Sequence, residues 1–254
     1  MAGKLCYSVP AKLIGEIKPI KYKTMKRCFT LLSTAMIIVV SLFATSVSAQ
    51  SSRSFITDAI EEHGECRNVA ITMSNGNLAL YQDNGCICDN IPADLHNVLR
   101  QLNANQLYID DVHITESGNW LVLYGTNGML YRGIDENLVA AITDFNAAGE
   151  VIHTVTFNDN GDWIIISSDH IMASNNQLQE WIANGLDLYG QLWSACLTDY
   201  GLVAVHAEGF RFVGDVPETL KDVLAITPIN VYRLKFTRDA WFIADINGYC
   251  NYMM

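Results

Sequence analysis

Cys250, in the run Gly248-Tyr249-Cys250-Asn251, and Cys196 are the side chains best suited to covalent chemistry, as the thiol nucleophile of a hydrolase. A thiolate needs a base within hydrogen-bond reach and a third group to orient that base. His206, His170, His153 and His113 are candidate bases, and Asp110 or Asp111 candidate orienting carboxylates. Ligand binding has other candidates: Tyr81, Tyr124, Tyr131 and Tyr249, with His170 and His206. Aromatic and polar side chains gathered on one rim would suit a sugar or a peptide.

Metal and cofactor chemistry find less support. Asn158-Asp159-Asn160-Gly161-Asp162 has the look of a calcium loop. With Gly161 at the loop's glycine, however, Thr156 and Ser167 stand where carboxylates are required. A hairpin turn is the expected structure there. Cys86 and Cys88 have no second Cys or His cluster beside them, so a zinc site is not expected. There is no Gly-rich phosphate loop, HExxH or GxSxG, and no cofactor is expected.

The elements that must position these residues form an internal repeat. Five strand–turn–strand pieces align: NVAITMSNGNLALYQDNGCIC from Asn68, VHITESGNWLVLYGTNGMLYR from Val112, VTFNDNGDWIIISSDHIMAS from Val155, ACLTDYGLVAVHAEGFRFVG from Ala195 and LKFTRDAWFIADINGYCNYM from Leu234. Thr72, Thr115, Asn158, Thr198 and Thr237 close the first strands. Trp120, Trp163 and Trp241 open three of the second strands, with Asn77 and Leu202 in the other two. Those opening positions lie 43, 43, 39 and 39 residues apart. A Trp recurring at one structural position is expected to pack the core of the repeat. With the Asn-Gly turns superposed, Cys250 falls where Ile87 and Leu130 stand, a position that suits a buried thiol.

Helical spacing follows each of the first four hairpins: Leu95, Leu99 and Leu102; Leu138, Ile142 and Phe145; Leu178, Trp181 and Ile182; Leu220, Val223 and Leu224. Pro92 and Pro217 fit first turns, and Asp135 and Asp215 fit caps. An orphan helix pattern with Ile56, Ala59 and Ile60 on one face precedes the first hairpin, and the last hairpin has no helix after it. The expected fold is therefore an α+β repeat protein, a closed ring of about five ββ(β)α units. The N-terminal helix and the C-terminal hairpin would complete one unit and remove the exposed sheet edges. An open α/β solenoid is the alternative.

The N-terminus has its own logic. Residues 1–24 read as an upstream start. Residues 25–49 read as a secretory signal peptide, with basic Met25-Lys26-Arg27, an apolar run and the small residues Val47-Ser48-Ala49. Residues 50–254 are expected to be a single domain in the periplasm or outside the cell, with no membrane span after cleavage. Seven of the 16 Lys and Arg and one acid, Glu16, lie in residues 1–49, so residues 50–254 hold 9 bases and 26 acids, a formal charge of −17. Such a surface repels phosphate backbones, and nucleic acid is not an expected partner.

The succession of first strand, Gly turn, Trp-led second strand, Asn-Gly, short strand and helix resembles exported bacterial β-propeller-like repeat proteins, across nearly all of residues 54–254. The resemblance implies architecture and lends no catalytic residue. Four-stranded propeller blades usually lack a helix, so the helix in each unit implies a mixed α/β ring. A five-unit α/β ring also invites comparison with the pentein fold, whose guanidine-modifying enzymes use a Cys nucleophile near the C-terminus, where Cys250 stands. The reading that follows is a non-enzymatic binding or interaction module for a protein, peptide or glycan. The alternatives are a pentein-like or other hydrolase with a Cys nucleophile, and a structural envelope protein.

Overall fold

A computed structural model describes residues 53–74 and 76–254. The expected upstream start and signal peptide, with Cys6 and Cys28, lie outside the described residues. The chain opens with helix α1 (Ser54–His63) and a sheet of β1 (Asn68–Ile71), β2 (Asn77–Tyr81) and β3 (Gly85–Asp89). Helix α2 (Ala93–Ala104) leads to β4 (Ile109–Ile114), β5 (Trp120–Tyr124) and β6 (Gly128–Arg132). Next come α3 (Glu136–Ala148), β7 (Ile152–Phe157), β8 (Trp163–Ser167) and β9 (Ile171–Ala173). Then follow α4 (Asn176–Tyr189), β10 (Leu192–Leu197), β11 (Gly201–His206) and β12 (Gly209–Gly214). The last unit is α5 (Glu218–Ile226), β13 (Arg233–Phe236), β14 (Trp241–Ala244) and β15 (Cys250–Met253). Each set of three strands forms its own antiparallel sheet in chain order. The protein is thus built of five repeated units, each a three-stranded sheet with a helix.

The recurring Thr or Asn has a local cause. Its side chain accepts a hydrogen bond from an N–H across the turn, tying off the first hairpin of each unit. Thr72 Oγ1 accepts from Gly76 N (2.8 Å), Thr115 Oγ1 from Asn119 N (3.2 Å), and Asn158 Oδ1 from Asp162 N (2.9 Å). Thr198 Oγ1 accepts from Gly201 N (3.2 Å) and Thr237 Oγ1 from Ala240 N (3.2 Å). At the second turn of two units a tyrosine ring folds over a glycine. A Cβ on Gly85 would meet the Tyr81 ring at 2.3 Å, and one on Gly128 would meet the Tyr124 ring at 2.7 Å.

Both faces of each middle strand are covered, which is why these strands read as unbroken apolar runs. On β5, Trp120 and Val122 pack with Leu95, Leu99 and Leu102 of α2, while Leu121 and Leu123 pack with Leu138, Ile142 and Phe145 of α3. Each helix lies between two successive sheets in this manner. The arrangement recurs with Ile182 of α4 between the third and fourth sheets, and Leu220 of α5 between the fourth and fifth. The N-terminal α1 makes a fifth such layer: Ile56 and Ile60 pack with Val69, Ile71 and Ala79 of the first sheet and with Phe242 and Ala244 of the last. Burying an Ile or Phe side chain contributes roughly 1.5–3 kcal/mol. Trp120, Trp163 and Trp241 are all buried, in keeping with a packing role.

Helix entry differs in detail from the sequence reading. Asp135 caps α3 as expected, its carboxylate accepting from Asn137 N at 2.7 Å. Pro92 and Pro217 occupy the N-cap positions of α2 and α5, one residue before the first turn. Asp215 is not a cap; it pairs with Arg238 at 2.9 Å.

The first strands are the inner elements. β1 lies beside β4, β4 beside β7, β7 beside β10, β10 beside β13, and β13 beside β1. Turn residues clamp neighbouring units. Glu116 accepts from Met73 N (2.7 Å), Asp159 from Ser117 N (2.8 Å) and Asp199 from Asp159 N (2.8 Å). Between the first and last sheets Arg53 does this work, donating to Thr72 O (2.8 Å) and Asp239 Oδ1 (2.9 Å).

Candidate functional site

The inner strands share an irregularity that the repeat does not require for packing. In β4 the register passes from Ile109↔Tyr124 to Asp111↔Leu123, in β7 from Ile152↔Ser167 to Thr154↔Ile166, and in β10 from Leu192↔His206 to Ser194↔Val205. The extra residues are Asp110, His153 and Trp193. The same doubling occurs at the start of β1 and β13: Arg67 N donates to Leu80 O (2.8 Å), although Leu80 already pairs with Asn68. Likewise Tyr232 N donates to Ala244 O (2.8 Å), the partner of Arg233. A bulge re-aims its side chain out of the pleat, and bulges gather next to functional sites. One structural position therefore presents five different chemistries: Arg67, Asp110, His153, Trp193 and Tyr232.

Arg233, buried beneath them, ties three units together. It donates to Asp110 Oδ1 (2.9 Å) and His153 O (2.7 Å), and its guanidinium lies 4.2 Å from the Tyr232 ring centroid. The Tyr232 and His153 rings meet edge-on at 6.3 Å. Arg67 donates to Ile109 O (3.0 Å) and covers the Tyr108 ring at 4.4 Å. A groove of about 320 Å³ opens alongside, lined by Trp193, Asn230, Val231, Tyr232, Asp245, Ile246 and Asn247. A cleft of about 150 Å³ shares Tyr232, Asp245 and Ile246 with it and is completed by Arg67, Tyr108, Asp110 and Arg233. The turn under the groove is fixed by Asp245 Oδ1, which accepts from Asn247 N (2.8 Å) and Tyr249 N (2.9 Å).

The electrostatics of this mouth are settled within the protein. Burial would lower the Arg233 pKa, but Asp111 and Asp110 outweigh it and raise the value, so the guanidinium stays charged. Burial, then Arg233, lowers His153, which is neutral at neutral pH. Burial raises Tyr232 and keeps its phenol protonated. The arrangement stacks, donates and accepts.

Deeper along the inner strands, Asp111 Oδ1 accepts from Lys235 Nζ (2.8 Å) and Asn68 Nδ2 (2.6 Å). Burial alone would raise the Asp111 pKa; Lys235, Arg233 and these hydrogen bonds bring it below the usual range. His113 donates through Nε2 to Phe157 O (2.6 Å), and burial with Lys235 nearby drives its pKa down to about 3. At the opposite end from the groove, a cavity of about 30 Å³ is lined by His113, Cys196, Lys235 and Tyr200 among others. That is room for a water or two, and none for an organic ligand.

The sequence candidates are scattered. Cys196 is buried on β10, its thiol pushed up to about 11 chiefly by burial. Cys250 starts β15, half-buried against α1, and burial raises it to about 11 as well. His206 engages Gly190 O through Nδ1 (3.0 Å) and is wedged against Gly185, where a Cβ would stand 2.7 Å from its ring. His170 is exposed and pairs with Glu150 Oε1 (2.7 Å). Tyr81 stacks on His63 at 4.1 Å. Tyr81 and Tyr124 each cover a turn glycine, Tyr131 is exposed on β6, and Tyr249 is exposed on the turn that borders the groove. Asp110 and His153 meet at the mouth. Sequence reasoning passed over Arg67, Trp193, Tyr232 and Arg233, although aligning the residue five before each closing Thr or Asn would have found the first three.

Among the described residues, no group of three or more His, Cys, Asp or Glu side chains is gathered to hold a metal ion. Among the same residues no helix is long and apolar enough to cross a membrane. Neither a protein-family model nor a curated protein sequence matches the chain.

Proposed function

We propose that this chain is an exported, non-enzymatic binding module whose five units close into a ring and whose bulge-lined mouth receives a short saccharide. The observation that carries the reading is the bulge itself: five units re-aim a residue at one position, and the five side chains presented there differ in chemistry. Closure is supported by α1 packing between the first and last sheets, by β13 beside β1, and by the Arg53 clamp. Trp193 and Tyr232 offer flat apolar faces for a sugar ring, while Asn230, Asn247 and Asp245 offer neighbouring groups for its hydroxyls. A groove of about 320 Å³ is of monosaccharide to disaccharide size.

Binding is favoured over thiol catalysis because the Cys196 and Cys250 thiols stand near 11 and are protonated at neutral pH. His170 and His206 are engaged by Glu150 and by the Gly190 carbonyl. The formal charge of −17 on residues 50–254 weighs against polyanions. Screening the protein on a glycan array, beside Trp193→Ala, is the test. A discrete set of bound glycans, weakened at least about tenfold (~1.4 kcal/mol) in the variant, is expected. No glycan bound by the folded protein, or binding indifferent to Trp193→Ala, would overturn the reading.

A further inference from the structure

Five cysteines lie among the described residues, and all are thiols: Cys66, Cys86, Cys88, Cys196 and Cys250. Two of them are brought together by segments far apart in the chain, the Cys66 thiol donating to Asn68 O (3.3 Å). Cys66, in the connection from α1 to β1, donates its backbone N–H to Gly248 O at 3.0 Å. A Cβ on Gly248 would meet the backbone of Cys66 at 3.5 Å, so segment 65–67 and turn 247–249 are in van der Waals contact. Two residues on, the Cys250 sulfur is close enough to receive the same Cys66 N–H. Both side chains enter one apolar cluster with Ile56, Ile60 and Phe242.

We propose that Cys66 and Cys250 are a disulfide-forming pair that staples the first sheet to the last. Every other pair of successive sheets is already joined by the chain itself, through α2, α3, α4 or α5. Only the junction of the last sheet with the first depends on non-covalent contacts, and this is where the two thiols sit. The reaction is thiol–disulfide exchange with a disulfide oxidant. One cysteine thiolate attacks the oxidant's S–S bond and releases one of its sulfurs as a thiol. The second cysteine then displaces the other sulfur from the mixed disulfide. The pair gives up two electrons and two protons, and the oxidant leaves as two thiols.

Burial lifts Cys66 to about 12 and Cys250 to about 11, so the folded dithiol exchanges slowly. Oxidation belongs to the folding chain, where thiols titrate near ~8.5. The competing pair, Cys86 and Cys88, has thiols in contact with each other, but its backbone spacing is unfavourable. Cys86 and Cys88 are alternate residues of one strand, about 6.6–6.8 Å apart at Cα, at the far limit of disulfide geometry.

The inference rests on the contact between segment 65–67 and turn 247–249 and does not depend on the groove or its ligand. To test it, the chain is refolded in reduced and oxidised glutathione, quenched with acid, blocked with N-ethylmaleimide in denaturant and digested without reductant. The expected product joins the peptides of Cys66 and Cys250 with the loss of two hydrogens, while Cys196 carries maleimide. The oxidised protein should also melt higher than the reduced one, and Cys250→Ser should melt at one temperature in both buffers. Maleimide on both Cys66 and Cys250, or either bonded elsewhere, overturns the proposal. Spin labels on Asp58 and Asn247 report the closeness of the same ends without these thiols. Free thiols with labels close together would therefore refute the disulfide alone, and free thiols with labels far apart would refute both the disulfide and the ring.

Discussion

Replacing Lys235 by Met should expose how the interior of the inner strands is balanced. Lys235 and Asp111 form an ion pair at 2.8 Å with side chains only 8% and 2% accessible, so neither charge is relieved by solvent. Removing one partner of such a pair costs about 3–5 kcal/mol, because the other charge stays buried. Asp111 keeps Asn68 as a donor and Arg233 nearby, whereas its Oδ2 has no hydrogen-bond partner among the described residues. The lower end, about 3 kcal/mol, is therefore expected for Lys235→Met. In a domain of this size that lowers the melting midpoint by roughly 6–12 °C. Chemical denaturation at two pH values is the assay.

In the wild type the Asp111 pKa is depressed, so its contribution is present above the unfolded value and is lost as pH falls through the folded one. Without Lys235, burial dominates and the folded pKa rises above the unfolded value of about 3.9. The variant's deficit should then be smaller at acidic than at neutral pH. Adding Asp111→Leu should recover most of the loss, since a buried pair replaced by apolar groups is often near neutral. A loss under about 1 kcal/mol, or one equal at both pH values, would refute a desolvated pair.

Acid stability offers a second check. The folded His113 pKa is about 3, against about 6.5 unfolded, so between those values the unfolded chain binds the extra proton. Stability should be level above about pH 6.5 and fall by up to about 1.4 kcal/mol per pH unit below it, a slope that His113→Gln should flatten in denaturant titrations. The tryptophans should divide by role. Trp163→Ala, at a buried recurring position, is expected to cost about 3–5 kcal/mol of stability, and Trp193→Ala, half-buried beside the groove, under about 1 kcal/mol. Equal losses in calorimetry would contradict the assignment of one Trp to packing and the other to binding.

The units were readable because the features that build them are local. A Thr or Asn that ties a turn, a glycine beneath a tyrosine ring and a Trp buried between sheet and helix each leave a mark at a fixed offset. Helix faces were readable for the same reason: Leu95, Leu99 and Leu102 lie buried on α2 as their spacing implies. The mouth was harder. A bulge adds one residue where a strand begins, and Asp110-Asp111 or Trp193-Ser194 simply reads as strand entry. The interior charges were harder still. Alternation marks a strand with one wet face, and these strands have none. Lys235 and Arg233 put two charges on a wholly buried strand, where they pair with Asp111 and Asp110 across the inner strands. Cys250 drew notice as a nucleophile for its place near the end of the chain, and its surroundings are Cys66, Ile56 and Phe242.

The proposed ring closure would join the mouth, the interior pairs and the seam, and a single distance tests it. Spin labels are placed on exposed Asp58 of α1 and exposed Asn247 before β15, and their separation is measured by pulsed dipolar spectroscopy. Layers of packed secondary structure lie about 10 Å apart, so with the label arms a closed ring places the pair within about 20–25 Å in one narrow distribution. An open array of five such layers would hold the ends roughly 40–50 Å apart, and that result would contradict the ring.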